Sequence, residues 1–173
     1  VADAVKALKA EGAQALSGGQ TLIATMKQRL ADPSVLVSLT GIAANRFVRT
    51  EGGTLTIGGA TTHAQVAAEA ASAFPALAFL AGNIGDPSVR NRGTIGGSLA
   101  NNDPSACYPA AAIACGATIV TDRREIAADD YFRGMFETAL EEGEIITAVR
   151  FLIPERANYQ KFFQPASRFA LTG

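Results

Sequence analysis

Hydrophobic residues in the first forty positions follow alternating helical and extended patterns. Residues 1–11 carry apolar side chains at helical spacing, and a short apolar run over 13–16 predicts a strand. A second helical pattern over 22–30 follows a pair of glycines, and apolar positions then alternate over 35–39. This first unit is therefore predicted as strand, glycine turn, helix and strand.

The rest of the chain predicts short helices and strands that do not alternate strictly. Extended patterns flank the turn Glu51-Gly52-Gly53, which is typical of a hairpin. The other predicted elements are helices from Thr62 to about 71, from Pro75 to about 81 and over 106–115, and strands over 118–121, 124–126, 144–153 and 159–163. This mixture predicts an α+β fold.

Residues 82–103 differ in composition from the chain around them. They are rich in glycine and asparagine, contain Arg90 and Arg92, and have few large apolar side chains. A stretch of this length with so little core material is usually a functional loop. The two arginines have two open interpretations: they neutralise a bound phosphate, or they pair with Asp86 and Asp103 and stiffen the loop.

Composition and charge exclude several classes of protein. The 173 residues are 48% hydrophobic and 18% charged, which is enough apolar material for a core. With 15 Lys and Arg against 16 Asp and Glu, the chain lacks the basic excess of a general nucleic-acid binder. The longest uncharged run, 104–121, contains proline, glycine and polar groups and predicts no membrane span.

The cysteine and histidine counts limit the metal chemistry. Cys107 and Cys115, the two cysteines, are too few for an iron–sulfur site and about 12 Å apart in a predicted helix. They are interpreted as small buried residues of a reducing compartment, which together with the absence of a targeting segment predicts a cytoplasmic protein. His63, the sole histidine, is interpreted as a surface or cap-adjacent residue.

Two glycine turns carry the candidate chemistry, Ser17-Gly18-Gly19-Gln20-Thr21 and Thr94-Ile95-Gly96-Gly97-Ser98. Paired glycines allow positive φ angles and let a ligand approach the backbone, whose N–H groups can then bind an anion. Neither turn matches a Walker loop or the G-x-G-x-x-G fingerprint. The residues alone leave two interpretations open: a phosphate- or nucleotide-binding domain, or two ordinary tight turns.

The run 84–104, Ile-Gly-Asp-Pro-Ser-Val-Arg-Asn-Arg-Gly-Thr-Ile-Gly-Gly-Ser-Leu-Ala-Asn-Asn-Asp-Pro, resembles the signature of the FAD-binding subunit of molybdenum hydroxylases. That family includes the medium subunit of carbon monoxide dehydrogenase and the flavin domain of xanthine dehydrogenase. Other family landmarks follow in the expected order, at 17–21, 57–62, 143–147, 159–162 and 167–170. The resemblance covers nearly the whole chain.

The resemblance implies a PCMH-type FAD-binding fold of two α+β subdomains, 1–45 and 46–173, with FAD between them. It also implies a C-terminal family domain that this chain lacks. The cofactor-binding residues that it implies are Leu16, Ser17, Gly18, Gly19, Gln20, Thr21, Ile23, Ile84, Thr94, Ile95, Gly96, Gly97, Ser98, Asp103, Cys107, Ile146 and Tyr159. Ile84 and Ile146 would flank the cofactor, and Tyr159 would lie against the isoalloxazine ring. Cys107 stands where many members carry an aspartate, and a thiol is a weak acceptor.

The function implied by the resemblance is electron transfer in a xanthine- or carbon monoxide dehydrogenase-like oxidoreductase. FAD would pass electrons from a [2Fe–2S] cluster on a small partner subunit to an external acceptor, while a large partner subunit holds the molybdenum cofactor. Two other hypotheses stay open: a stand-alone flavin oxidoreductase of related fold, and a truncated assembly domain that no longer binds FAD. No catalytic residue and no metal ligand is expected on this chain.

Overall fold

The structure, a computed structural model, describes all residues from 1 to 173. The helices are α1 (Ala2–Ala7), α2 (Leu22–Lys27), α3 (His63–Glu69), α4 (Pro75–Gly82), α5 (Pro87–Arg90), α6 (Ile95–Asn101), α7 (Tyr108–Ala114) and α8 (Ala128–Tyr131), with a 3₁₀ turn at Ala43–Asn45. The strands are β1 (Ala13–Leu16), β2 (Val35–Ser38), β3 (Val48–Glu51), β4 (Thr54–Gly58), β5 (Thr118–Thr121), β6 (Glu125–Ala127), β7 (Phe132–Gly134), β8 (Glu137–Thr138), β9 (Ile146–Leu152), β10 (Phe162–Phe163) and β11 (Ala170–Thr172). This mixture confirms the α+β prediction. None of the helices combines the length and apolarity needed to cross a bilayer.

The first unit is the predicted strand, turn, helix and strand. β1 and β2 pair in parallel, from Ala13 opposite Val35 to Leu16 opposite Ser38, and α2 connects them. A small hydrophobic cluster of Ala4, Leu8, Val37 and Ile145 packs α1 and β2 against the start of β9. The glycine turn between β1 and α2 is thereby held at one end of the parallel pair.

A five-stranded antiparallel sheet in the order β3-β4-β9-β5-β6 forms the centre of the larger unit. The predicted hairpin turn joins β3 and β4, with Gly52 and Gly53 at φ angles of +55° and +76°. Such positive angles at two successive positions fit a turn that matches the strand twist. Leu55, Ile57 and Phe151 are fully buried and anchor the sheet in a hydrophobic core of 23 residues, to which α3, α4, α6 and α7 contribute.

Two helices lie inside the stretch predicted as a polar loop, so that prediction is wrong for 87–90 and 95–101. Asp86 accepts a hydrogen bond from the Val89 N–H at the start of α5, and Thr94 accepts one from the Gly97 N–H at the start of α6. Ile95 and Leu99, four residues apart, are fully buried. These apolar contacts hold α6 in the core although its sequence is rich in glycine.

Candidate functional site

A cleft of about 880 Å³ lies between the β1–α2 unit and the helices that follow β4. One wall is formed by residues 14–22, and the opposite wall by residues from 84 to 107 together with Ile145 and Ile146. The volume is at the upper end of the range for small-molecule and cofactor pockets. The cleft therefore has room for a large ligand.

The turn between β1 and α2 presents a row of free backbone donors to this cleft. None of the backbone N–H groups of residues 17–22 donates a hydrogen bond within the protein. Gly19 adopts a φ angle of +72°, which disfavours residues with a side chain. Successive free N–H groups in a concave turn are an anion-binding arrangement.

Gly18 is required for a different reason, since its φ angle is not positive. A Cβ at this position would lie 2.2 Å from the Arg92 carbonyl oxygen and 2.6 Å from the Gly93 Cα. The turn at the end of β1 therefore packs backbone to backbone against the segment before α6. This contact sets the distance between the two walls of the cleft.

The second glycine segment is the first turn of α6, and neither Gly96 nor Gly97 has a positive φ angle. The freedom to adopt positive φ angles, which paired glycines allow, is therefore not used at these two positions. The Gly96 N–H donates to the Gly59 carbonyl at 3.0 Å, and a Cβ on Gly96 would lie 2.6 Å from that oxygen. These glycines allow close packing against β4 and the first wall.

The two glycine segments are joined by one side-chain contact. Ser17 Oγ and Thr94 Oγ1 form a hydrogen bond of 2.6 Å between residues 77 positions apart. Thr94 Oγ1 also accepts from the Gly97 N–H at 3.1 Å, so one hydroxyl both caps α6 and binds the opposite wall.

A double-mutant cycle of Ser17→Ala with Thr94→Val tests this contact. We expect a coupling energy of about 1 kcal/mol in urea unfolding, because the bond is partly buried and links two separate elements. Ser38→Ala with Thr40→Val is the matched control, since Ser38 Oγ and Thr40 Oγ1 form an exposed bond of 3.1 Å and are expected to couple weakly. Additive losses for the first pair would show that the contact does not join the walls.

The structure brings most of the sequence-predicted site residues together in the cleft. Leu16, Ser17, Gly18, Gly19, Gln20, Thr21, Ile84, Thr94, Gly96, Gly97, Ser98, Asp103, Cys107 and Ile146 line it. Ile23, Ile95 and Tyr159 do not. Ile95 is fully buried in the core, and the Ile23 side chain packs against Gly19.

Tyr159 lies behind Cys107, at a second and smaller cavity of about 140 Å³. Cys107 lines both cavities and is buried. Tyr159 Oη is sealed without a hydrogen-bond partner, and burial together with the neighbouring Cys107 thiol raises the pKa of Tyr159. Tyr159 therefore lines the second cavity, which shares Cys107 with the cleft that the glycine segments line.

The two arginines of the segment before α6 do not line the cleft and form no ion pair with Asp86 or Asp103. Arg90 instead donates to the Ile84 and Gly85 carbonyls at 3.1 and 3.0 Å. Asp103 Oδ1 accepts from the Ser105 N–H at 2.8 Å. Arg90 therefore stiffens this segment, as one interpretation predicted, but through carbonyl groups.

Sequence reasoning missed several residues of the cleft, among them His63, Glu144, Lys161, Arg168 and Phe169. His63 begins α3 next to its Thr62 cap, as predicted, but is buried, so the surface interpretation is wrong. Glu144 lies within the 143–147 landmark, which could have drawn attention to it. No group of three or more His, Cys, Asp or Glu side chains is placed to hold a metal ion.

Burial by itself would raise the pKa of Glu144, but hydrogen bonds from Arg124, the Glu141 N–H and Thr121 lower it to about 2. Arg124 donates from both Nε and Nη2 at 3.0 Å, so the contact is bidentate. The side chain of Glu144 has no exposed surface. The wall of the cleft therefore contains the ionised carboxylate of Glu144, and both of its oxygens accept hydrogen bonds from the protein.

Comparison with protein families gives a match over residues 1–155 to the family described as "FAD binding domain in molybdopterin dehydrogenase". The carbon monoxide dehydrogenase medium chain of Afipia carboxidovorans is 41% identical over 162 residues, which are 89% of this chain and 56% of that relative. The nicotine 6-hydroxylase medium subunit of Paenarthrobacter nicotinovorans is 35% identical over 170 residues, covering 93% and 59%. The chain thus spans a little over half the length of these curated relatives.

Solved structures show the same architecture. Carbon monoxide dehydrogenase from Hydrogenophaga pseudoflava lacking the Mo-pyranopterin moiety superimposes with a TM-score of 0.91 at 36% identity, covering 97% of this chain and 62% of that chain. Quinoline 2-oxidoreductase from Pseudomonas putida 86 gives 0.92 at 29% identity, covering 98% and 62%. The predicted PCMH-type fold is confirmed by these likenesses.

Proposed function

This chain belongs to the family of FAD binding domains in molybdopterin dehydrogenases, so its cofactor is FAD, and we propose that it is the electron-transferring flavin domain of a molybdenum-containing hydroxylase. The observation that carries the proposal is the row of unpartnered N–H groups at residues 17–22, which faces a cleft of about 880 Å³. FAD supplies the electron chemistry when bound. The residues of this chain bind and orient it.

The cleft fits the chemistry of a dinucleotide. A hydrogen bond from an N–H to a charged oxygen is worth about 1.5–3 kcal/mol, so several of the free donors together can hold a pyrophosphate without a cation. The first backbone N–H groups of a helix have no partner within the helix, so a bound anion would satisfy donors that are otherwise left to water. We propose that residues 17–21 bind the pyrophosphate and that the first turn of α6 contacts the cofactor from the other wall.

The remaining cleft residues have roles that follow from their chemistry. Ile84 and Ile146 both line the cleft with apolar side chains and would flank the cofactor. Cys107 presents a thiol, and Asp103 is fixed beside it by its turn. We propose the subdomain boundary near residue 45, since the parallel β1–β2 pair and the five-stranded sheet are separate sheets.

Partner chains are part of the proposal. Two relatives are named medium chain or medium subunit, which supports a multi-subunit complex. We propose a small subunit with the [2Fe–2S] cluster that reduces the flavin, and a large subunit with the molybdenum cofactor where substrate is oxidised. The cytoplasmic location stays a prediction.

The test is a titration of the purified chain with FAD. We expect one equivalent to bind, with quenched flavin fluorescence and a shifted visible spectrum, and we expect FAD to be released on denaturation. No uptake at saturating FAD would contradict the proposal and favour the assembly-domain hypothesis. Co-purification with iron- and molybdenum-containing chains would separate the proposed function from a stand-alone flavin oxidoreductase.

A further inference from the structure

His63 is a buried side chain in the cleft to which the proposed function assigns no role. It is the first residue of α3 and is 5% exposed. Its backbone N–H donates to the Gly93 carbonyl at 3.0 Å, and its ring packs on Tyr108 with centroids 5.4 Å apart. The imidazole is therefore fixed in position before any ligand binds.

The two ring nitrogens have different surroundings. Nδ1 is sealed from solvent and has no hydrogen-bond partner, whereas Nε2 is not sealed and also has no partner in the protein. A Cβ on Gly93 would lie 2.5 Å from Nε2, so this nitrogen faces the backbone of Gly93. Gly93 also packs on Gly18, and His63 lines the same cleft as residues 17–22, so Nε2 lies near the turn that carries the free donors.

The imidazole is neutral at physiological pH. Burial, together with the nearby positive charge of Arg90, lowers the pKa of His63 from 6.5 to about 4. Arg90 acts on the ring through its charge, and Tyr108 packs on it; burial keeps the Tyr108 hydroxyl protonated by raising its pKa.

The position of the single proton follows from the same surroundings. A sealed N–H without an acceptor is rarer in native proteins than an unused acceptor, because the donor loses its hydration without compensation. The proton therefore belongs on Nε2, and Nδ1 is left as the unused acceptor. A fixed neutral donor at the cleft surface is the result.

We infer that the Nε2–H group of His63 is a further donor to the pyrophosphate of bound FAD and extends the row of backbone donors at residues 17–22. This inference rests on the proposed function. It makes His63 a cofactor-binding residue that binds an anion without adding a positive charge to the cleft.

The sole histidine of the chain makes the first test direct. With ¹⁵N-labelled histidine, we expect the free chain to show protonated Nε2 and unprotonated Nδ1, with one tautomer from about pH 6 to 8. On addition of FAD, the Nε2–H signal is expected to shift and to exchange more slowly with water. A proton on Nδ1, or an Nε2–H signal that FAD leaves unchanged, would overturn the inference.

Two variants give the second test. His63→Phe keeps the ring packing on Tyr108 and removes the donor, so FAD affinity is expected to fall about tenfold to 100-fold, as for one bond to a charged oxygen. His63→Gln places an amide N–H near the position of Nε2 and is expected to recover most of the affinity. Riboflavin, which lacks the pyrophosphate, is the probe that His63→Phe should bind as the wild type does.

The outcomes separate this inference from the proposed function. If the wild-type chain takes up no FAD, the proposed function fails and the donor role of His63 fails with it. If the wild type binds FAD and folded His63→Phe binds it as tightly, only the donor role is overturned. An equal loss of affinity for FAD and riboflavin in His63→Phe would also overturn it, because the contact would then not be to the pyrophosphate.

Discussion

Replacing Gly18 with alanine is expected to weaken FAD binding by about 100-fold. The new Cβ would meet the Arg92 carbonyl oxygen at 2.2 Å and the Gly93 Cα at 2.6 Å, and both are backbone atoms that cannot rotate away. The turn at 17–22 must therefore move away from the segment before α6, which displaces the free N–H groups from the second wall. Overpacking of this kind also costs about 1–3 kcal/mol of stability. The measurement is a fluorescence titration with FAD alongside thermal unfolding of the free chain.

Gly41→Ala is the matched control for Gly18→Ala. Gly41 lies in the same unit, has no positive φ angle, and has no atom within 4 Å of the position of a new Cβ. We expect unchanged FAD affinity and stability within about 0.5 kcal/mol of the wild type. If folded Gly18→Ala binds FAD as Gly41→Ala does, the contact with Arg92 and Gly93 does not set the geometry of the site.

Elements with a local signal were predicted well from the sequence. The hairpin at β3–β4 follows from two glycines between alternating residues, and both glycines have the positive φ angles that the turn needs. The start of α3 follows from Thr62, whose side chain accepts from the Gln65 N–H in a capping box. In each case the residues that determine the structure lie within a few positions of one another.

Features that depend on distant contacts were not predicted. The glycines of α6 suggested a loop, because the burial of Ile95 and Leu99 that holds this helix is a property of the folded core. The need for a glycine at position 18 also could not be predicted, since its packing partners Arg92 and Gly93 lie far along the chain. The sequence indicated which glycines matter, but backbone packing rather than positive φ explains two of them, Gly18 and Gly96.

Some of the predicted cofactor residues lie where the sequence placed them, and others do not. All of those in the two glycine segments except Ile95 line the cleft, where Gly18 packs on Gly93 and Ser17 bonds to Thr94. Tyr159 was placed by resemblance alone, and in the structure it lines the smaller cavity behind Cys107. Glu144 was overlooked as a site residue because its partners Thr121 and Arg124 lie on other elements, 23 and 20 positions away.

Glu144→Gln is expected to lower the free energy of unfolding by about 3 kcal/mol, because the fully buried Glu144 side chain loses two of its four hydrogen bonds, each worth about 1.5 kcal/mol to a charged acceptor. Oε1 accepts from Thr121 Oγ1 and Arg124 Nε, and Oε2 accepts from Arg124 Nη2 and the Glu141 N–H. Either orientation of the new amide therefore turns its NH₂ group toward two donors. The measurement is urea unfolding at neutral pH. In thermal unfolding at the same pH, a loss of this size corresponds to a fall of roughly 6–12 °C in Tm.

The pH dependence and a matched substitution distinguish this effect from a general loss of charge. Because the pKa of Glu144 is about 2 in the folded chain and 4.5 ordinarily, its ionised form stabilises the fold above pH 4.5, and this contribution is lost as the pH falls toward 2. The difference between wild type and Glu144→Gln should therefore narrow over that interval. Glu125→Gln makes the same change in the exposed pair with Arg150, where a loss of at most about 1 kcal/mol is expected. If the two variants lose the same free energy of unfolding at neutral pH, the burial of Glu144 adds nothing to the stability that its ion pair provides.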